Sequence, residues 1–126
     1  MSEKMKQTLL AGNAGIARGN NEIFLALCSE DTDWHFIGEQ RLKGKQAVRE
    51  WMAKTYLEPP VVTVENLIAE GDFLVAKGIV SMKNDAGIPT RYAYCDVWKF
   101  KDDLIAGLNA FVIEADRAHD EVPPAA

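Results

Sequence analysis

Two successive prolines, Pro59-Pro60, divide this chain into halves that obey different periods. Before them apolar residues recur every three to four positions, and after them they alternate every two. Proline lacks a backbone donor and clashes with the preceding helical turn, so no helix runs through the pair. Helices followed by consecutive hairpin-linked strands predict an α+β fold with an antiparallel sheet.

In the first half, Met5, Leu9, Gly12 and Ile16 mark one helix that stops at Gly19. Ile23, Phe24, Leu27 and Cys28 form the stripe of a second helix, capped by Asn20 or Asn21. Glu30-Asp31-Thr32-Asp33 breaks the pattern, Trp34 to Ile37 reads as a short strand ending at Gly38, and Glu39 to Lys43 reads as a polar loop. A third helix follows Gly44 and turns Ala47, Val48, Trp51, Met52 and Thr55 inward. In the second half, strands are expected over 61–70, 73–83, 88–101 and 104–115, with turns at Gly71-Asp72, Asn84-Asp85-Ala86-Gly87 and Asp102-Asp103. Gly78 lies mid-strand, where a bulge or bend is expected. The predicted whole is a cone: a curved antiparallel sheet wrapped round the N-terminal helices, with an internal pocket. Residues 1–117 form this single domain, and 118–126, with Pro123-Pro124, form a flexible tail.

A net charge of −5 argues against nucleic acid and anionic membrane as partners. Met1 to Leu10 is polar and mixed, without a signal-peptide pattern, and no apolar run reaches the length of a membrane span, so a cytoplasmic location is expected. Cys28 and Cys95 lack metal-ligand spacing and are expected to be free, buried thiols. No metal site and no cofactor are expected.

One residue stands out chemically. In Tyr92-Ala93-Tyr94-Cys95-Asp96-Val97-Trp98-Lys99-Phe100, alternation places Asp96 on one strand face with Tyr92, Tyr94, Trp98 and Phe100. A carboxylate in a row of aromatic rings loses water, which favours its neutral, proton-donating form. Trp34, Trp51, Tyr56, Trp98, Leu108, Ala110 and Val112 are the expected pocket wall, with Ala110 small enough to leave space for a ligand.

Three local patterns resemble one family. Gly44-Lys45-Gln46-Ala47-Val48-Arg49-Glu50-Trp51 is similar to the glycine-led third helix of ketosteroid isomerases, Cys95-Asp96-Val97-Trp98-Lys99-Phe100 to their aspartate-bearing strand, and Trp34-His35-Phe36-Ile37-Gly38 to the strand end that carries their base. Together with the element order, these patterns resemble the nuclear transport factor 2-like superfamily, in its ketosteroid isomerase-like and SnoaL-like branch. The resemblance implies that His35, three residues before Gly38, stands at the position of the general base. Alternation by itself sets His35 opposite Trp34 and Phe36, so its direction stays open. Asp96 matches an aspartic acid that this family holds neutral to donate to an oxyanion. The family's tyrosine on the first helix has no counterpart in Leu10 to Ala14, and Tyr94 or Tyr56 is the replacement hydroxyl to consider. The implied function is a cofactor-free acid–base enzyme of isomerase, cyclase or lyase type. It would act on a hydrophobic carbonyl compound through His35, Asp96 and Tyr94. The alternative is a non-catalytic small-molecule-binding or dimerisation domain. The superfamily's habit of pairing implies a homodimer, with Val62, Val64 and Ile68 on the outer sheet face.

Overall fold

The period-two half becomes four long strands. In this computed structural model, which describes residues 2–120, they are β3 (Val61–Glu70), β4 (Phe73–Lys83), β5 (Pro89–Lys101) and β6 (Leu104–Glu114). Ahead of them come α1 (Ser2–Ala17), α2 (Asn21–Leu25), β1 (Cys28–Phe36), β2 (Gln40–Lys43) and α3 (Lys45–Thr55). A short α4 (Arg117–Asp120) follows β6, and the remainder of the expected tail lies outside the described residues.

The six strands form one sheet in the order β2-β1-β6-β5-β4-β3, open at both edges. The fold is α+β, as the periods predict, but the sheet is mixed. The hairpin-linked neighbours pair antiparallel, whereas β1 pairs parallel with β6. Parallel pairing needs a long crossover rather than a tight turn, and α3 with the four strands β2, β3, β4 and β5 supplies it.

The acidic run 30–33 does not interrupt the chain but lies within the nine residues of β1. The expected polar loop at 39–43 is mostly the edge strand β2, whose Gln40 to Lys43 pair back on Phe36 to Asp33. An edge strand with one solvated side needs little apolar patterning, so its composition resembles a loop. The second helix is only five residues long, and Cys28 begins β1 instead of completing its stripe.

The core fills the concave side of the sheet. Leu9, Phe24, Leu25, Trp34, Val48, Met52, Leu74, Trp98 and Ile105 are all buried there. Gly12 lets α2 approach α1, since a Cβ at this position would stand 2.6 Å from the Phe24 ring. Phe24 is thereby set edge-on to Trp34 at 5.7 Å and against Trp98 at 5.6 Å.

A register shift in β3 between Val64 and Asn66 corrects the expected outer face. Beyond such a bulge the side chains exchange sides. Val62 and Val64 stand opposite Val80 and Gly78 on the concave side, while Ile68 pairs with Val75 on the outer side. The irregularity expected at Gly78 thus lies one strand away. Gly78 itself has no room for a side chain, because a Cβ there would fall 1.9 Å from the Thr63 carbonyl oxygen. Cys28 and Cys95 are free, the first buried and the second only partly so. No helix among the described residues is long and apolar enough to cross a membrane.

Candidate functional site

Asp96 lies near the middle of β5, paired with Ala76 on one side and Ala110 on the other. Ala110 also pairs with Phe36 of β1, so one row crosses four strands as Ala76, Asp96, Ala110 and Phe36. Two alanines beside the carboxyl leave open volume above it. A cavity of about 1420 Å³ occupies this space and opens to solvent. Trp34, Trp51, Tyr56, Trp98, Leu108 and Val112 line it together with Asp96, while Ala110 lies beneath, 2 % exposed, as part of the floor packing.

The aromatic wall is a connected cluster. Trp34 meets Trp98 edge-on at 5.3 Å, Trp51 tilts over Phe36 at 4.8 Å, and Trp51 meets Tyr56 edge-on at 5.3 Å. Such edge-to-face arrangements fit the ring quadrupoles. They also give the cavity rigid walls of low polarity.

In these surroundings Asp96 Oδ1 is buried and has no hydrogen-bond partner among the described residues. Burial without compensation penalises the charged form, and the carboxyl is pushed up to about 7. Tyr56, at the C-terminal cap of α3, lines the same cavity. Burial and then the charge of Asp96 raise its pKa above the usual phenol range.

Tyr94 is also beside Asp96, but its hydroxyl donates to the Thr63 carbonyl at 3.2 Å, crossing β4 over Gly78. Burial, followed by the charges of Asp96 and Glu65, pushes this phenol up to about 12. Its proton is therefore held by the sheet.

His35 stands elsewhere. It pairs with Arg41 and Asn109, whereas the flanking Trp34 and Phe36 turn into the concave side. The side-chain alternation of β1 puts the imidazole on the outer face, away from Asp96. The count back from Gly38 is therefore corrected by the strand's own period. The expected triad of His35, Asp96 and Tyr94 is not assembled in one cavity.

The mouth of the cavity is charged. Lys83 pairs with Glu58 at 3.0 Å, joining the end of β4 to the segment after α3. Arg91 donates to the Ala115 carbonyl at 2.8 Å and to Asp120 at 2.9 Å, tying α4 to β5. No group of three or more His, Cys, Asp or Glu side chains that could hold a metal ion occurs among the described residues. One polar atom of the site was invisible in the sequence: Trp98 Nε1 is buried in the wall without an acceptor among the described residues. Composition marks a tryptophan as apolar wall and gives no hint of whether its N–H finds a partner.

The model of the SnoaL-like domain matches residues 11–108. None of the curated proteins matches the chain. Among solved structures it is similar to an NTF2-like protein of unknown function from Cytophaga hutchinsonii, at 25% identity and a TM-score of 0.70, covering 86% of this chain and 99% of that one. It is similar to an LEH-like epoxide hydrolase from M. tuberculosis, at 12% identity and a TM-score of 0.78, covering 89% and 84%. A candidate ketosteroid isomerase from Kribbella flavida is also similar, at 20% identity and a TM-score of 0.74, covering 98% and 85%.

Proposed function

The chain belongs to the SnoaL-like domain family, in the NTF2-like superfamily, and from that membership we propose that it is an acid–base enzyme acting on an apolar carbonyl compound through Asp96. The observation that carries this reading is the carboxyl itself. It lines an aromatic cavity, Oδ1 is unpaired among the described residues, and burial lifts its pKa to about 7. A group with that pKa is present as acid and as base in similar amounts at neutral pH, where general catalysis is most effective.

The ionised carboxylate takes a proton from the carbon beside the ligand carbonyl. The resulting acid returns a proton to the oxygen or to another carbon. Isomerisation, ring closure and elimination all use this shuttle, and it needs no cofactor. Tyr56 donates to the oxygen as negative charge develops there, standing in for the tyrosine that α1 lacks. The fold's similarity to a candidate ketosteroid isomerase and to an epoxide hydrolase supports an enzyme of this general kind.

The test is exchange of the α-protons of 2-tetralone in heavy water, followed by NMR. Asp96→Asn is expected to lower the protein-dependent rate by about 10²–10⁴-fold, and Tyr56→Phe by about tenfold or more. A rate unchanged in Asp96→Asn overturns the reading. A second reading, a non-catalytic binding pocket, is favoured by the outward His35 and by the Tyr94 hydroxyl's bond to Thr63. Tight binding of 2-tetralone with no exchange above background would select it.

A further inference from the structure

Leu9, Asn13 and Ile16 lie on one face of α1, at the spacing that brings side chains together on a helix, and all three line the cavity. Leu9 and Ile16 are buried apolar residues. Asn13 is the polar member of this inward stripe. It is half-buried and forms no hydrogen bond among the described residues. Unlike Asp96 Oδ1 and Trp98 Nε1, its amide atoms are not shut off from the open space. An asparagine inside a helix is unfavourable, because its side chain competes for backbone groups, and here it makes no such bond. Helix preference and the apolar stripe both call for a residue such as leucine. A group that stands against both is expected where function requires it.

The amide meets water while the cavity is open. A ligand that fills the cavity strips that water and leaves the amide unpaired, unless a ligand oxygen restores the bond. Such a group therefore separates ligands that carry the oxygen from those that lack it. Its position sets where the oxygen lies. Asn13 also lines a groove between α1 and β3 with Leu10, Pro60, Val62 and Val64. β4 separates β3 from the strand of Asp96. Two strand spacings are about 10 Å, so Asn13 and Asp96 meet different ends of a bound ligand.

We propose that Asn13 is a specificity-determining residue whose carboxamide anchors a ligand oxygen at the end of a ring compound remote from the carbonyl that Asp96 serves. This rests on the acid–base reading for the carbonyl end and adds the second polar group of the substrate: a ring ketone oxygenated at both ends. The amide both donates and accepts, so it holds a hydroxyl or a carbonyl oxygen. A methyl group in the same place leaves it unpaired.

Calorimetric titration with 6-hydroxy-2-tetralone and 6-methyl-2-tetralone tests this, because their substituents are similar in size and stand across the bicycle from the ketone. The readout is the ratio of the two affinities. Asn13→Leu, close to the amide in shape, is expected to lower the hydroxy-to-methyl ratio about five- to tenfold, the effect of one ordinary hydrogen bond. Asn13→Ala is expected to lower it as much, which separates the lost bond from a change of shape. Thermal melting should give Asn13→Leu a Tm no lower than wild type, since leucine suits both the helix and the stripe. A ratio within about twofold of wild type in either variant overturns the anchor, and so does binding of neither ketone by the wild type. A Tm several degrees lower in Asn13→Leu also overturns it, as the mark of an amide that holds the fold. The acid–base reading fails separately, through unchanged 2-tetralone exchange in Asp96→Asn, and that result leaves the hydroxy-to-methyl ratios of the Asn13 proteins unaffected.

Discussion

Asp96 keeps its proton up to about pH 7 in the folded chain and releases it near 3.8 once unfolded. Between these values the folded state binds more protons than the unfolded state, so this carboxyl's contribution is most favourable below about pH 4. It is lost as the pH rises to about 7. At about 1.4 kcal/mol per unit, the loss by pH 8 is on the order of 4 kcal/mol. Asp96→Asn keeps the shape and removes the titration. Urea unfolding from pH 4.5 to 8 should show the variant gaining on the wild type by a few kcal/mol, and a constant difference would show that Asp96 is well solvated. Tyr94→Phe should cost about 1 kcal/mol by losing the bond to Thr63, with 2-tetralone exchange within about twofold of wild type. At this scale the sequence placed Asp96 among aromatics correctly, because alternation holds along all of β5. It misdirected His35, because counting residues to a glycine ignores which face the strand presents.

The elements most legible in the chain were the strands after Pro59-Pro60, whose bounds lie within a residue of those expected. Repeated turn chemistry and a sustained period of two left little freedom there. The elements least legible were β2, an edge strand of polar residues, and α2, a single turn whose stripe runs on into β1. The bulge in β3 was anticipated only as an irregularity near Gly78, since an extra residue shifts the pattern without changing its composition. That junction is intolerant. Gly78→Ala sets a Cβ against the Thr63 carbonyl at 1.9 Å, whereas Gly107→Ala meets nothing closer than 3.5 Å. Overpacking of this kind costs about 1–3 kcal/mol or more. Thermal melting should show Gly78→Ala severely destabilised or insoluble and Gly107→Ala close to wild type.

For the whole molecule, the helices and the concave side of the sheet make the core, and the convex side is left with exposed Ile68, Phe73, Phe111 and Ile113. Contiguous apolar surface on a sheet face favours a self-complementary pair related by a twofold axis, and we propose a second copy of this chain as its occupant. Sedimentation should find a dimer that Phe111→Lys with Ile113→Lys converts to a folded monomer. A wild-type monomer at all concentrations would refute it. The parallel seam also sets a timetable. Trp34 of β1 finds its neighbour Leu108 only after about 70 more residues have been made. At 5–20 residues per second, that is roughly 4–14 s during which the inner strand of a nascent chain waits with one edge open. The ribosome completes α1 to α3, β1 and β2 early, yet the cavity wall cannot close until the last strand emerges. An open edge in an incomplete chain is prone to aggregation, so the soluble yield of this protein is expected to rise when chaperones are co-expressed, and an unchanged yield would count against the waiting edge.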